Sequence, residues 1–193
     1  MWDQILPGLR MKLFLTVVLG VGYPLAMTGL AQLLFPKQSN GSLIQADGKV
    51  IGSEIIGQGF TRPEYFHPRP SAAGAGYDAT ASAGSQLGPT NQKLVDRVQT
   101  SVEQFRKENP EFSGSVPADL LTTSASGLDP HISPASAHAQ ATRVAKVRGV
   151  STGQVDQLVQ EFTENPSLGL LGESRVNVLR INLALDQRFA MHK

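Results

Sequence analysis

No cysteine occurs anywhere in the 193 residues. This excludes disulfide staples, thiolate metal sites and a cysteine nucleophile, so the fold has to rest on its own apolar core. Histidine is scarce as well, with four in the chain. His131 and His138 stand seven residues apart without a third ligand in register, so no metal site is expected. Neither charge sign dominates: 17 basic and 16 acidic residues leave a formal net charge of +1. Without Arg10, Lys12 and Asp3, which precede the first apolar run, the remainder is balanced. Nucleic acid and anionic surfaces call for a basic excess, so neither is expected as a partner. Also missing are a Gly-Lys-Ser/Thr phosphate loop, an aspartyl-phosphate motif and a Gly-x-Ser-x-Gly elbow, which removes the usual means of nucleotide binding, phosphoryl transfer and serine hydrolysis.

What the chain does have is an uncharged run of 23 residues from Leu13 to Phe35. As a helix it would be roughly 35 Å long, against a hydrocarbon core of about 30 Å. A signal peptide has a shorter apolar region, so the run is expected to be an uncleaved anchor. Pro24 lies mid-span and predicts a kink. Gln32 is poorly tolerated by lipid alone and predicts a protein neighbour. The short N-terminal tail, with Arg10 and Lys12, favours an inside N-terminus. The expected organisation is a cytoplasmic tail over 1–12, a transmembrane helix over 13–35 and one extracytoplasmic domain over 36–193.

Pro36 to Asn40 forms a short polar linker, which holds the domain near the bilayer. Ser42–Gln45 and Val50–Ile56 flank Ala46-Asp47-Gly48-Lys49, and the Asp-Gly pair predicts a β-hairpin. Tyr65 to Asn91 shows neither helical nor strand period. Loops of this length in a compact domain are commonly functional, and its aromatics with Arg62 and Arg69 favour an ordered loop packed on something. Leu94, Val98, Val102 and Phe105 recur at helical spacing and predict a helix from about Asn91 to Lys107, followed by a short helical turn led by Pro117.

The stretch TTSASGLDPHISPASA, Thr122 to Ala137, gathers hydroxyls around Asp129 and His131. A membrane-anchored serine hydrolase using Ser124 or Ser126 with His131 or Lys146 is the reading from another class, and a generic interaction module a third. The simpler reading is a turn whose side chains satisfy local backbone groups. Ser133 and Pro134 open a helix that ends at Gly149. Ser151 with Gln154 predicts a capping box for the next, with Val155, Leu158, Val159 and Phe162 as its buried stripe. Val176 to Leu183, apolar and β-branched with Asn177, Arg180 and Asn182 interspersed, is expected to be the best strand and to pair with the early hairpin. The fold class expected is α+β, one membrane helix and then a small sheet covered by about three helices.

Taken in order, the N-terminal span, GSEIIGQGF, YFHPRPSAAGAGYDATASAGSQLGPTN, TTSASGLDPHISPASA and GESRVNVLRINLALD resemble, over nearly the whole chain, the KdpC family, the small single-span component of the bacterial potassium-transporting Kdp ATPase complex. Departures are Ala83 for a common glycine, Gln86 for asparagine, Ser174 for proline and Ala139 for an aromatic residue. The resemblance implies a single-span protein in the bacterial plasma membrane. Its implied partners are a channel-like potassium-binding subunit, a P-type ATPase subunit and a small hydrophobic subunit. ATP and K+ would be handled by the complex, and no cofactor is implied on this chain.

Two roles are implied: assembly and stabilisation, or a catalytic chaperone raising ATP affinity, with Gln140 as the nucleotide contact. An outer domain cannot touch cytoplasmic ATP. The residues therefore favour a non-catalytic subunit whose domain covers the ion entrance of the channel-like subunit. The expected contacts with partner subunits are Pro24 and Gln32 in the span, and Tyr65, Arg69, Tyr77, Asp78, Asp129 and His131 in the domain; no catalytic or metal-binding residue is expected.

Overall fold

The computed structural model describes residues 2–46 and 48–191 and divides into two compact units, Met1–Ile51 and Gly52–Lys193. The first unit begins with α1, Trp2–Val17, passes through a π-helical turn at Val18–Gly22 and continues as α2, Tyr23–Leu34. Its run from Asp3 to Leu34, 32 residues, is long and apolar enough to cross a membrane. The helix thus starts well before the uncharged stretch and takes in Arg10 and Lys12.

At the position where Pro24 predicts a kink, the backbone shifts register. The Tyr23 amide reaches back to the carbonyl of Val18, five residues rather than four. Proline has no N–H and its ring crowds the carbonyl four residues earlier, and a widened turn is one way a helix takes both in. Gln32 has a partner within its own unit. Its Nε2 donates to Asn40 Oδ1 at 3.3 Å, and Asn40 Nδ2 donates back to Gln32 Oε1 at 3.2 Å. Asn40 follows the short helix α3, Pro36–Ser39.

Strands β1, Leu43–Ala46, and β2, Lys49–Ser53, pair in a two-stranded sheet. Gly48 between them takes φ +73°, the conformation for which a tight turn selects glycine. Asp47, the other half of the expected turn, lies outside the described residues.

The second unit contains α4, Gln92–Glu108, a 3₁₀ turn at Ala118–Leu120, and β3, His131–Ile132. Then follow α5, Pro134–Arg148, α6, Thr152–Glu161, β4, Thr163–Glu164, β5, Arg175–Asn177, and α7, Val178–Arg188. The sheet order is β3-β5-β4, antiparallel throughout, with Ile132 and Thr163 both opposite Val176. Phe66, Ile132, Val144, Leu158, Ile181 and Leu185 fill a single core between this sheet and helices α5, α6 and α7.

The helix-end signals hold. Asn91 caps α4 through Lys93 N, Ser133 caps α5, Gly149 closes it in the left-handed region, and Ser151 with Gln154 forms the full capping box on α6. Val155, Leu158 and Val159 are its buried residues, and Phe162 packs against the core from its end.

The last segment differs from expectation in two ways. The strand stops at Asn177, whose Oδ1 accepts the Arg180 amide at 3.1 Å, so residues 178–188 form a helix capped by the residue expected mid-strand. Val178, Ile181, Asn182 and Leu185 are all buried, a spacing of three and four that belongs to a helix, and tertiary packing overrides the strand preference of the β-branched residues. Nor does this strand pair with the early hairpin; its neighbours are β3 and β4, which bracket the helical hairpin of α5 and α6.

Candidate functional site

The segment from Pro63 to His67 carries no regular structure, yet its backbone is fastened residue by residue to the helices beneath it. Asn182, on the buried face of α7, donates from Nδ2 to the Phe66 carbonyl at 3.0 Å and accepts the Phe66 amide at 2.9 Å. Gln140 on α5 does the same one residue on. Its Oε1 accepts the His67 amide at 2.8 Å, and its Nε2 donates to the His67 carbonyl at 3.1 Å. Two side-chain amides thus serve this segment as a neighbouring strand would. The arrangement is needed because Phe66 is fully buried, and buried backbone groups must find partners.

Two arginines complete the fastening. Arg143 donates to the carbonyls of Pro63 and Tyr65, the latter at 3.0 Å. It also donates to Asn109 Oδ1 at 3.0 Å and Gln140 Oε1 at 2.8 Å. Burial pushes its guanidinium down to about 10, which still leaves it charged at neutral pH. Arg148 donates to the Glu64 carbonyl at 2.8 Å and to Asp186 at 2.8 Å. On the outer side, Tyr65 donates its hydroxyl to Asp186 Oδ2 at 2.8 Å, with the Arg62 guanidinium 4.8 Å and that of Arg148 5.1 Å from its ring centre.

Beyond His67, the two aperiodic stretches of the sequence turn out to be each other's partners. Ala83 N donates to the Ser126 carbonyl at 3.0 Å, and Gly57 N, from the segment that precedes Pro63, donates to the Leu128 carbonyl at 2.7 Å. Ser71 Oγ donates to the Gly127 carbonyl at 2.6 Å. Arg69 Nη1 meets Asp129 Oδ2 at 2.9 Å. Asp129 Oδ1 accepts the His131 amide at 3.0 Å and lies 3.5 Å from its Nδ1. Burial alone would raise the Asp129 carboxyl, but these bonds from His131 and Arg69 outweigh it and hold the group below its ordinary value. Tyr77 donates its hydroxyl to the Arg69 carbonyl at 2.6 Å, and burial pushes it up to about 12.

The structure therefore brings Arg69, Tyr77, Asp129 and His131 together. Arg69, Asp129 and His131 open onto a polar cleft of about 440 Å³ shared with Asp119, Glu173 and Arg175. Asp78 is fully exposed and caps its own turn, accepting from Thr80 N at 2.9 Å and Thr80 Oγ1 at 2.7 Å. Tyr65 belongs instead to the Arg148–Asp186 cluster. Pro24 and Gln32 are in the first unit.

Among the described residues no hydrogen bond joins Ser124 or Ser126 to His131 or Lys146. Ser124 Oγ lies 3.4 Å from Ser126 Oγ, Ser126 Oγ accepts the Leu128 amide, His131 is engaged with Asp129, and Lys146 pairs with Glu111 at 2.5 Å. Among the described residues no three His, Asp or Glu side chains are placed to hold a metal ion.

Sequence reasoning did not anticipate Asn182, Arg143, Arg148 or Asp119. The last accepts from Ser133 N at 2.7 Å and Ser136 Oγ at 2.6 Å at the start of α5. Helical spacing could have flagged Asn182, because it falls on the apolar face between Val178 and Leu185. The two arginines had a weaker signal, lying on a helix whose neighbouring positions are largely alanine and valine.

These features define an α+β protein with, among the described residues, one helix long enough to cross a membrane and a domain whose buried polar groups hold a backbone segment in place. The family described as the c chain of the K+-transporting ATPase, KdpC, matches residues 5–187, and the chain belongs to that family. It is 57% identical over 190 residues to the potassium-transporting ATPase KdpC subunit of Myxococcus xanthus, covering 98% of this chain and 90% of the relative. It is 58% identical over 185 residues to that of Rhodospirillum rubrum, covering 96% of both. The subunit of Mycobacterium tuberculosis is 55% identical over 185 residues, covering 95% and 98%.

Proposed function

We propose that this chain is a non-catalytic accessory subunit of an ATP-driven potassium importer. In this reading residues 13–35 cross the plasma membrane, residues 1–12 remain in the cytoplasm, and the domain over 36–193 lies outside, covering the ion entrance of the channel-like subunit. ATP and K+ are handled by that subunit and the P-type ATPase subunit, with the small hydrophobic subunit as the remaining partner. The observation that carries the reading is the way Gln140, Arg143, Arg148 and Asn182 spend their hydrogen bonds on the backbone of Pro63–His67. A segment held on that many side chains is a rigid platform, and it leads directly to Arg69, which with Asp129 and His131 lines the polar cleft, where a docking partner would meet charges already fixed in place.

The test is to delete residues 52–193 while keeping the helix, express the remainder with the other subunits, and measure both co-purification and the potassium dependence of ATP hydrolysis. Loss of assembly, or a weakened potassium affinity in the complexes that form, is expected. Intact assembly with unchanged affinity would refute the reading.

A further inference from the structure

Where the end of α4 meets one face of α5, the second unit holds a pocket of about 260 Å³ that shares no residue with the polar cleft. Its apolar wall comes from Pro63, Pro110, Phe112, Ala139 and Val147. The turn that carries Phe112 is fixed in place. Phe112 N donates to Asn109 O at 3.1 Å, Asn109 is buried and donates from Nδ2 to Phe105 O at 3.0 Å, and the Phe112 ring stands edge-on to that of Phe105 with centres 5.7 Å apart. The pocket is therefore preformed, and little ordering is needed when a ligand enters.

The polar groups around this wall divide unevenly. Both carboxylates are engaged: Glu108 accepts from Gln104 Nε2 at 2.9 Å and lies 3.2 Å from His67 Nδ1, and Glu111 pairs with Lys146. The groups left over are donors. Lys107 is exposed and has no ion pair among the described residues. Arg143 uses four of its five N–H groups on Asn109, Pro63, Tyr65 and Gln140, which leaves one on Nη2. Thr100, Thr122 and Thr163 each return the hydroxyl to the carbonyl four residues earlier, whereas Thr142, on the pocket wall, does not. Lys107, Arg143 and Lys146 against Glu108 and Glu111 give the lining an excess of one positive charge.

We infer that this pocket binds a small aromatic monocarboxylate, with its ring against the wall of Phe112, Pro110 and Ala139 and its carboxylate towards Lys107, Arg143 and Thr142. Size sets the ring: an apolar cavity of about 150 Å³ takes benzene, so 260 Å³ holds one ring with a substituent and falls below the roughly 300–1,000 Å³ that drug-sized ligands fill. A rigid ring also loses fewer rotors than an alkyl chain on entering a rigid site. Charge sets the substituent. A cation would face Lys107 and Arg143, and a neutral ring, or an aromatic side chain of a partner protein, would cover these donors without giving them an acceptor. The inference stands apart from the docking reading of the polar cleft and needs no other subunit.

Methyl NMR of the full chain in phosphatidylcholine nanodiscs, labelled at alanine and valine methyls, observes the pocket directly through Ala139 and Val147. The probes are 4-methylbenzoate, 4-methylbenzyl alcohol and 4-methylbenzylamine, compared at equal free concentration. The benzoate should shift both methyls saturably, with a Kd at least tenfold below that of the alcohol, and the amine should produce no saturable shift. Lys107→Gln, an exposed change that leaves the fold alone, should weaken the benzoate about threefold to fivefold without altering the alcohol. Val147→Trp, which fills the pocket from its half-exposed side, should abolish the shift at Ala139. Absence of a saturable shift with the benzoate would overturn the inference, and equal affinity for the alcohol would reduce the pocket to an apolar cavity and overturn it as well. Benzoate binding that survives Val147→Trp, or is indifferent to Lys107→Gln, would place the ligand elsewhere or leave its charge unread, and either result also refutes the proposal.

Discussion

The side-chain amide of Asn182 lies against the backbone of Phe66 in the manner of a strand neighbour, accepting its N–H at 2.9 Å and donating to its carbonyl at 3.0 Å, across 116 residues of sequence. Because Asn182 is 1% exposed, neither group has water as an alternative. One side chain on α7 therefore fixes the path of a segment that would otherwise be a buried loop with orphaned polar groups, and the neighbouring residue, His67, receives the same treatment from Gln140 on α5.

Replacing Asn182 with alanine should lower the stability of the domain by about 2–4 kcal/mol, since a packed side chain is lost and two buried backbone groups lose their partner. Leucine should not rescue it, even though it restores apolar volume, because the Phe66 amide and carbonyl stay unpaired. Urea denaturation of the full chain in detergent, followed by the change in midpoint, measures both variants.

Gln140 has every hydrogen-bonding position in use: Oε1 accepts from His67 N and Arg143 Nη2, and Nε2 donates to His67 O and to Ser136 O at 3.3 Å. Gln140→Ala should therefore destabilise the domain by about 2–3 kcal/mol. Any loss of ATP affinity in the complex should scale with that destabilisation across Gln140→Ala, Gln140→Glu and Asn182→Ala. A fall in ATP affinity in Gln140→Ala without loss of stability would instead mark this glutamine as a nucleotide contact. Paired measurements of ATP dependence and denaturation midpoint on the same preparations separate the two.

Both ring nitrogens of His67 face acceptors, Nδ1 with Glu108 Oε2 at 3.2 Å and Nε2 with the Arg62 carbonyl at 3.1 Å, yet burial, with the Arg143 cation beside it, depresses its pKa below the ordinary 6.5. The unfolded chain takes up the proton first as pH falls. Stability should therefore be level above pH 6.5, decline as pH drops from there towards the folded-state value, and level off below it. His67→Gln, which removes the titration, should abolish that slope below pH 6.5. Denaturation midpoints across this range measure the slope.

Element boundaries were largely legible wherever a cap residue declared them. Asn91, Ser133, Gly149 and Ser151 are local signals, each satisfied within three or four residues, and each stands where its chemistry requires. The long aperiodic stretches were legible only as ordered loops, because what orders them comes from far away in sequence: Arg69 finds Asp129 across 60 residues, and Phe66 finds Asn182 across 116. The misassigned strand shows the limit from the other side. Valines and isoleucine over 176–181 satisfy strand propensity, and only the positions of Asn177 as a cap and Asn182 on the buried face distinguish a helix. Of the expected docking residues, Asp129 and His131 had a readable cue in their turn chemistry and Arg69 in the aromatics of its loop, whereas the role of Gln140 as a backbone clamp depends on a segment that periodicity cannot place.

Gly127 and Gly149 have nearly the same positive φ, +67° and +69°, and very different surroundings. A Cβ on Gly149 would have no atom within 4 Å, whereas one on Gly127 would lie 2.5 Å from Ala83 O and 2.8 Å from Ala73 N. Gly149→Ala should thus cost only the left-handed penalty of about 1 kcal/mol. Gly127→Ala adds a clash with two backbone atoms that cannot move without parting the segment around Asp129 from the one around Arg69, and should cost about 3 kcal/mol or more. The difference between the two, read as denaturation midpoints, isolates the close approach from the conformational preference. If the two loops are packed as rigidly as their hydrogen bonds imply, Gly127→Ala should also weaken docking of the domain on its partner subunits at temperatures where Gly149→Ala does not, and equal behaviour of the two variants in co-purification would argue that the loop pairing around Arg69 and Asp129 has no bearing on assembly.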